Sequence, residues 1–330
     1  MEKKVIGVSL GDPAGIGPEL LLKSLPEIRK LGTAVPLVIG DRAVIEKNAS
    51  FGRGKLRLNI AGKRDEVRPG SLNVYSPGVI RNGLFPRGRD SRLCGKASFV
   101  YVEEAVKLWK NHQIDGLVTL PISKKAWHMA GFRYPGHTEL LAEMLDAKRY
   151  AMIMIAGKLR VLLVTTHIPL KDVPGTLSRK IIVEKVIAGH GFLVKTGVKS
   201  PVIGIAAVNP HGGEGGVLGT EEKEIIVPAV KILLRKGIVC RGPIPADAIF
   251  RKALAGEMDM VAAMYHDQAL IPMKTFHAGR LVNCTAGLEM VRTSPGHGTG
   301  FDIAYKGKAD PSSFIEAYRI AVRLADSLTS

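Results

Sequence analysis

Short β-branched runs at 4–9, 35–40, 114–119, 151–156, 160–165, 202–208 and 259–264 alternate with stretches of helical period along the chain. That alternation leaves few architectures open. A strand, an amphipathic helix and a second strand make a βαβ unit, and its crossover forces the two strands to run parallel. Two helices are explicit in the pattern. The segment 98–111 puts Phe99, Val102, Val106 and Trp109 on one face, and 220–236 closes at Gly237 after a basic last turn. The apolar mass is mainly Val, Ile, Leu and Ala, with 5% aromatic residues, which suits parallel strands covered by helices better than a β-sandwich. At 330 residues, 46% hydrophobic and 23% charged, the chain can fill two cores, so the expectation is an α/β protein of two domains. There is no internal repeat or low-complexity linker to mark the boundary.

Composition also excludes classes. The opening Met1-Glu2-Lys3-Lys4 carries charge without a long apolar segment behind it, and no run reaches the roughly 18 apolar residues of a membrane span. Cys94, Cys240 and Cys284 are odd in number and lack CxxC spacing, which argues against a disulfide framework or a cysteine zinc site. These features predict a cytoplasmic protein without a membrane partner. The formal charge of +17 is partly concentrated in two loop-like stretches: 51–70, with Arg53, Lys55, Arg57, Lys63, Arg64 and Arg68, and 81–96, with Arg81, Arg87, Arg89, Arg92 and Lys96. Neither carries a recognition-helix pattern or interleaved aromatics. Nucleic acid is therefore not expected as a partner, and attraction of anionic substrates is the secondary use of the charge.

Polar residues follow several apolar runs directly, at Val118-Thr119-Leu120-Pro121, Thr166-His167, Asn209-Pro210-His211 and Tyr265-His266-Asp267. Ligands of open α/β sheets bind outside the carboxyl ends of strands, so such residues can share one rim. Gly11-Asp12-Pro13-Ala14-Gly15-Ile16-Gly17-Pro18-Glu19 is a glycine-rich turn into a helix that Pro18 can open. It is not GxGxxG, and it reads either as a tight connection or as backbone close to a ligand. In Tyr134-Pro135-Gly136-His137-Thr138-Glu139 a turn delivers His137 to a helix start that Thr138 can cap, a natural anion site. His167, His211 and His266 match no local metal motif, yet each follows an apolar strand. An imidazole set suits zinc, cobalt, nickel or iron better than magnesium. Lys274, Asn283 and Arg292 offer donors to phosphate or carboxylate, and His297-Gly298-Thr299-Gly300-Phe301-Asp302 forms a small-residue loop. His112, His128, His190 and His277 read as structural or solvent-facing.

The stretches GDPAGIGPE, YPGHTELLAE, TTHIPL, NPHGGEGG, GTEE, GPIPAD, MYHDQALIP, VNCTAGL, RTSPGHGT and KGKAD span 11–310 and together resemble the 4-hydroxythreonine-4-phosphate dehydrogenase family of pyridoxal phosphate biosynthesis. The resemblance implies a fold like the isocitrate and isopropylmalate dehydrogenases: two α/β/α domains with the active site in the cleft between them. The division it suggests is 1–125 with 275–330 on the cofactor side, and 126–274 on the metal and dimer side. It further implies NAD, a divalent metal such as zinc, cobalt or magnesium, and a homodimer with a shared active site. His167, His211 and His266 become metal ligands, with His266 supplied by the partner chain. His137, Thr138, Lys274, Asn283 and Arg292 become substrate contacts. His297, Gly298, Thr299 and Asp302 lie in a stretch similar to the loop that receives the adenosine end of NAD in isopropylmalate dehydrogenases.

The expected reaction is oxidation of 4-phosphohydroxy-L-threonine at C3 and decarboxylation to 3-amino-2-oxopropyl phosphate, with Lys274 and Asp247 handling protons. The chain departs from the family pattern at Thr119–Lys124, Glu289, Gly296, Gly300 and Tyr305. Relatives acting on 4-phospho-erythronate, 4-phospho-threonate or aromatic cis-diols are therefore the alternatives, as is an acyl-phosphate transferase or non-redox anion binder of similar fold. Asp247, Asp267 and Glu289 near the expected rim would favour the amino substrate, because an ammonium at C2 seeks a carboxylate.

Overall fold

A computed structural model describes residues 3–52, 56–277 and 279–327, and the side chain of His277 is not among the described ones. Arg53 and Lys55 of the first basic stretch lie outside the described residues. The chain forms two compact units, one of 1–146 and 288–330, the other of 147–287. Segment 126–146, expected with the second domain, packs in the first unit because Trp127 is wholly buried, edge-on to Phe99 and bonded through Nε1 to Ser98 Oγ at 2.9 Å. Segment 275–287 joins the second unit through antiparallel strand pairing.

The elements of the first unit begin with β1 (Lys4–Ser9), α1 (Gly17–Leu31), β2 (Ala34–Ile39), α2 (Arg42–Lys47), β3 (Leu58–Ile60), β4 (Leu72–Tyr75), α3 (Arg92–Lys110), β5 (Gly116–Thr119), α4 (Lys124–Met129) and α5 (His137–Met144). The second unit holds β6 (Ala151–Ala156), β7 (Leu159–Leu163), α6 (Val173–Thr176), α7 (Arg179–Lys195), β8 (Val202–Ala206), α8 (Val227–Arg235), β9 (Val239–Ile244), α9 (Ala246–Leu254), β10 (Met260–Ala263), α10 (His266–His277) and β11 (Val282–Ala286). The chain then returns to the first unit as β12 (Val291–Pro295) and α11 (Ser312–Ser327).

In the first unit the strands run β3-β4-β2-β1-β5-β12, all parallel. Both faces are buried, as the Val/Ile/Leu runs require: Ile6, Val8, Leu37, Val38, Leu117 and Val118 have no exposure. β1 is the switch point, with its successor β2 on one side and β5 on the other, so the crevice outside its carboxyl end is where a ligand has room. The second unit has the order β11-β6-β7-β10-β8-β9. A β6–β7 hairpin and β11 are antiparallel, and β7, β10, β8 and β9 are parallel. Its core gathers Met154, Val161, Leu163, Ile249, Val261 and Met273.

The α/β class is as expected; the strands at 4–9 and 151–156 are found as expected, and the other five expected runs are shifted or shortened by one or two residues at an end. The helix expected at 98–111 starts earlier, at Arg92, where Ser91 Oγ caps Cys94 N at 3.1 Å. Arg92 and Lys96 are therefore helical, their charge having disguised the first turn. The helix expected at 220–236 is a π-helical turn, Glu222–Ile226, leading into α8. No helix among the described residues is long and apolar enough to cross a membrane.

Gly95 of α3 lies directly against the backbone of α4: a Cβ there would stand 2.0 Å from the carbonyl oxygen of Ala126. Backbone cannot yield as a side-chain tip can. Gly95→Ala is expected to destabilise the protein by about 2–4 kcal/mol, read as a lower denaturant midpoint at unchanged slope.

Candidate active site

The turn after β1 lies against the segment after β5. Asp12 N donates to Pro121 O at 2.8 Å, and Gly11, at φ 74°, leaves no space for a side chain, since a Cβ would meet the same oxygen at 2.4 Å. Asp12 is fully buried. Its Oδ1 accepts Ala14 N at 2.9 Å, and Oδ2 has no partner. Burial, with the charge of Asp90 adding to it, raises the Asp12 carboxyl to about 7 against the bond from Ala14. Asp90 accepts a short hydrogen bond from Ser123 Oγ and pairs with Lys125 at 3.4 Å.

The loop 297–309 is clasped to this turn. Ile16 N donates to Thr299 O at 2.9 Å and Tyr305 Oη to Pro13 O at 2.5 Å. The buried carboxylate of Glu19 accepts Ala309 N at 2.8 Å, and Lys23 Nζ donates to Gly307 O at 2.6 Å and Ala309 O at 2.9 Å. Tyr305 keeps a left-handed backbone at φ 64° with the Arg87 guanidinium 4.5 Å above its ring. Two glycine-rich stretches distant in sequence thus form one surface. His297, Gly298 and Asp302 are exposed on it, and Thr299 is half-buried.

On the other side of β5, Arg292 of β12 is 3% exposed and its Nε and Nη2 donate to Thr119 Oγ1 at 3.1 and 2.7 Å. His137 is buried edge-on to Trp127, with Nε2 unpartnered. Burial, then the charge of Arg292, push its pKa well below the ordinary value, so the ring is neutral at pH 7. The expected cap is corrected: α5 starts at His137 behind Gly136 with no side-chain cap bond, and Thr138 sits buried inside the first turn. The Pro-Gly turn moves the helix start forward by enough to put the hydroxyl past the capping position.

In the second unit the three histidines follow neighbouring parallel strands: His167 after β7, His266 after β10 and His211 after β8. Gln268 ties the ends of β10 and β8, accepting Met264 N through Oε1 at 2.6 Å and donating from Nε2 to Ala207 O at 2.7 Å. His167 and His266 come together, ring centroids 5.5 Å apart, at a pocket of 220 Å³ shared with Thr166, Tyr265 and Asp267. Asp267 Oδ1 lies 2.7 Å from His266 Nδ1. His211 stands on a left-handed run, His211–Gly215, with φ between 45° and 81°. Glu222 anchors that run: burial opposes its charge, yet bonds from the backbone and side chain of Asn209 and from Val208 N hold its pKa below the usual range. Among the described residues no group of three His, Cys, Asp or Glu is arranged to hold an ion. The donor chemistry still fits a divalent metal, since an imidazole pair with a carboxylate on one Nδ1 is how metal-binding histidines are oriented.

Asp247 on α9 and Lys274 on α10 are exposed, and Asn283 on β11 keeps a buried, unpartnered Oδ1. Glu289 corrects an expectation. It precedes β12, at the amino end of the sheet, and lines a separate pocket of 340 Å³ with Trp109, Lys110, His112, Glu143 and Asp146. It is no carboxylate of the rim. His112 and His128 are exposed and His190 half-buried. Thr119, Asp12, Glu19 and Gln268 were not singled out as site residues from the sequence.

In each unit polar and charged side chains gather at the carboxyl ends of parallel strands, which is where α/β enzymes carry their chemistry. Residues 32–321 match the family model described as pyridoxal phosphate biosynthetic protein PdxA, and the chain belongs to this family. It is 42% identical over 323 residues to a 4-hydroxythreonine-4-phosphate dehydrogenase of Sulfurihydrogenibium, covering 97% of this chain and 98% of that one. It is 41% identical over 324 residues to a D-threonate 4-phosphate dehydrogenase of Cupriavidus necator, covering 97% of each. The crystal structure of 4-hydroxythreonine-4-phosphate dehydrogenase from Klebsiella pneumoniae superposes with a TM-score of 0.89 at 37% identity, covering 98% of both chains.

The raised Asp12 gives a pH signature. The folded state keeps this proton to about pH 7 while the unfolded chain releases it near 3.8, so stability falls as pH rises between those values. In Asp12→Asn that contribution disappears. The stability of the variant relative to wild type should rise by about 3 kcal/mol between pH 4.5 and 8 in chemical denaturation. An unchanged difference would show that Asp12 is ionised throughout.

Proposed function

We propose that this dehydrogenase of the PdxA family oxidises 4-phosphohydroxy-L-threonine at C3, and that the 3-oxo acid formed loses carbon dioxide to give 3-amino-2-oxopropyl phosphate. The observation that carries the reading is the buried pair of Arg292 and His137. A permanently charged guanidinium, held in place beside a neutral imidazole whose Nε2 has no protein partner, is a site made for an anionic oxygen.

His137, Thr138 and Arg292 in the first unit, and Asn283 and Lys274 in the second, bind the substrate's charged ends in this reading. The unpartnered Oδ1 of Asn283 needs a donor that a substrate hydroxyl or ammonium provides. Lys274 and Asp247, both solvent-reachable, hold and move protons during oxidation and decarboxylation. His167, His211 and His266 would hold a divalent metal, zinc, cobalt or magnesium, that acts as a Lewis acid on the substrate hydroxyl. His297, Gly298, Thr299 and Asp302 would hold the adenosine end of NAD, which would supply the hydride acceptor. We take the active form to be a cytoplasmic homodimer with a shared site. Ile271, Phe276, Leu170 and Val217, each more than half exposed on the second unit, supply apolar surface for association.

A specific observation favours a second substrate, D-threonate 4-phosphate. The relative of that name is as similar as the one named for hydroxythreonine phosphate, and Glu289 does not offer the carboxylate that an ammonium would seek. Comparing kcat/KM for the two compounds on one preparation tests the assignment: 4-phosphohydroxythreonine should lead. A preference for D-threonate 4-phosphate beyond about tenfold, or about 1.4 kcal/mol, would replace it.

His167→Ala is expected to lower the metal content of the purified protein and to cut kcat by about 100-fold or more, with the fold intact by circular dichroism. Undiminished metal and turnover would remove the imidazole pair from the mechanism.

A further inference from the structure

Where a strand turns into a helix, a nucleotide's phosphates are commonly met by unspent backbone amides and the positive end of the helix. The turn from β1 into α1 has already used its own. Asp12 N donates to Pro121 O at 2.8 Å, Ala14 N to Asp12 Oδ1 at 2.9 Å, Gly15 N to Asp12 O at 3.0 Å and Ile16 N to Thr299 O at 2.9 Å. Pro13 has no N–H, and the first turn of α1 carries the buried carboxylate of Glu19, which opposes a second anion there. A phosphate lying on this surface therefore needs a cationic side chain.

Lys23 is not that side chain, because its ammonium is spent on Gly307 O, Ala309 O and Glu19. Arg87 is held differently. Its exposed guanidinium stands 4.5 Å from the centre of the Tyr305 ring. A cation over a ring is attracted by the electron-rich face, so the contact fixes the group without using its N–H donors. Among the described residues none of those donors meets an acceptor. The ring is itself anchored: Tyr305 Oη donates to Pro13 O at 2.5 Å, and Phe85 lies 6.3 Å away, tilted. Tyr305 keeps this place in a left-handed backbone, φ 64°, which a bulky side chain adopts only at a cost.

The backbone beside Arg87 joins the same surface. Gly88 N donates to Ala14 O at 2.8 Å, and a Cβ on Gly88 would stand 3.0 Å from Phe301 O. A Cβ on Gly15 would meet Thr299 O at 2.8 Å. Turn 12–16, segment 86–90 and loop 297–309 are thus in contact, and Arg87 borders the loop that carries His297, Gly298, Thr299 and Asp302.

We propose that Arg87, held over the Tyr305 ring, is a contact for a phosphate of the dinucleotide whose adenosine end lies on that loop, and that Tyr305 is its positioning residue. An adenosine carries its phosphate on the adjoining ribose, within reach of a long side chain at the loop's border. The inference rests on the placement of NAD proposed above, and the test separates the two.

The full-length protein is titrated with NAD, ADP and adenosine by ligand-observed NMR, as wild type, Arg87→Met, Tyr305→Phe, Tyr305→Leu, R87M/Y305L and Asp302→Ala. Arg87→Met should raise Kd for NAD and ADP by about tenfold and leave Kd for adenosine within about twofold, since adenosine has no phosphate. Tyr305→Leu should raise the ratio of the ADP to the adenosine Kd by a similar factor, and the double variant should raise it no further, because the tyrosine acts through the arginine. Tyr305→Phe keeps the ring and should keep the ratio within about twofold of wild type.

An unchanged ratio in R87M overturns the proposal, whether both constants stay or both rise together, the second result making Arg87 a brace for the loop. A ratio in Y305F as high as in Y305L overturns the role of the ring. Wild-type protein that binds neither NAD nor ADP, or a D302A variant with unchanged adenosine affinity, overturns the placement of the cofactor and the proposal with it. Should Y305L fail to fold by circular dichroism, Tyr305→Gly, which suits the left-handed backbone, is read by the same criteria.

Discussion

The parallel pairing of β1 between β2 and β5 is the constraint on which the first unit depends. It buries the strand on both faces and both edges, so the chain can leave it only over the carboxyl end, and there the turn must be tight enough to start α1 within a few residues. Gly11 takes the left-handed turn, Asp12 bonds Ala14, and Glu19 in the first turn of α1 becomes the acceptor for Gly307 N and Ala309 N. β5, the other neighbour, delivers Thr119 and then Pro121 to the same crevice. The switch point is thus more than a gap: it gathers backbone from three parts of the chain, and the side chains brought there face water-poor surroundings. Burial penalises charge in such places, which is why it raises the Asp12 carboxyl to about 7 and, on the other side of β5, pushes the His137 imidazole well below its ordinary value.

The second unit solves the same problem with a different order. β10 enters between β7 and β8, so the residues after three strands far apart in sequence become neighbours. Gln268 holds the β10 and β8 ends together by using both atoms of its amide on backbone. Beyond it, the path diverges: His167 and His266 close on each other, while His211 is carried on a left-handed run whose non-glycine members, His211 and Glu214, are strained. The network of Glu222 with Asn209 and Val208 offsets that strain. A loop held away from its preferred backbone by a buried carboxylate is specified by the fold and not by its own preferences.

Much of this was legible in the sequence, and the rest was hidden for identifiable reasons. The βα rhythm was visible because parallel strands buried on both faces must be continuously apolar. The histidines were visible because each follows an apolar strand, and Arg292 because its residue type is a conspicuous anion donor. The start of α3 was hidden by Arg92 and Lys96, whose charges resemble a loop, although Ser91 three residues before Cys94 is the capping signal that could have found it. Gln268 and Thr119 were hidden because their roles are relational: an amide or a hydroxyl matters when strand order puts another chain segment within 3 Å, and strand order is not written in periodicity. Glu289 was misplaced for the same reason. Its closeness in sequence to Arg292 says nothing about which end of β12 it occupies.

The excess of 47 Lys and Arg over 30 Asp and Glu looks at first like the strongest functional signal in the composition. The structure divides it into two physical roles. Several cations are engaged in the architecture: Arg64 with Asp115 at 2.9 Å, Lys23 with the 307–309 backbone, and Arg87 over Tyr305. Exposed lysines supply a diffuse positive field, which attracts small anions of any kind but is screened within about 8 Å at physiological salt. Such a field treats one doubly charged acid much like another. Discrimination needs a charge whose position is fixed and whose solvation has already been surrendered, and among the cations described above Arg292 meets both conditions, since Thr119 Oγ1 accepts two of its bonds and its exposure is 3%. Diffuse charge attracts anions without choosing among them, whereas a buried guanidinium held in place, as Arg292 is, is the kind of charge that can choose.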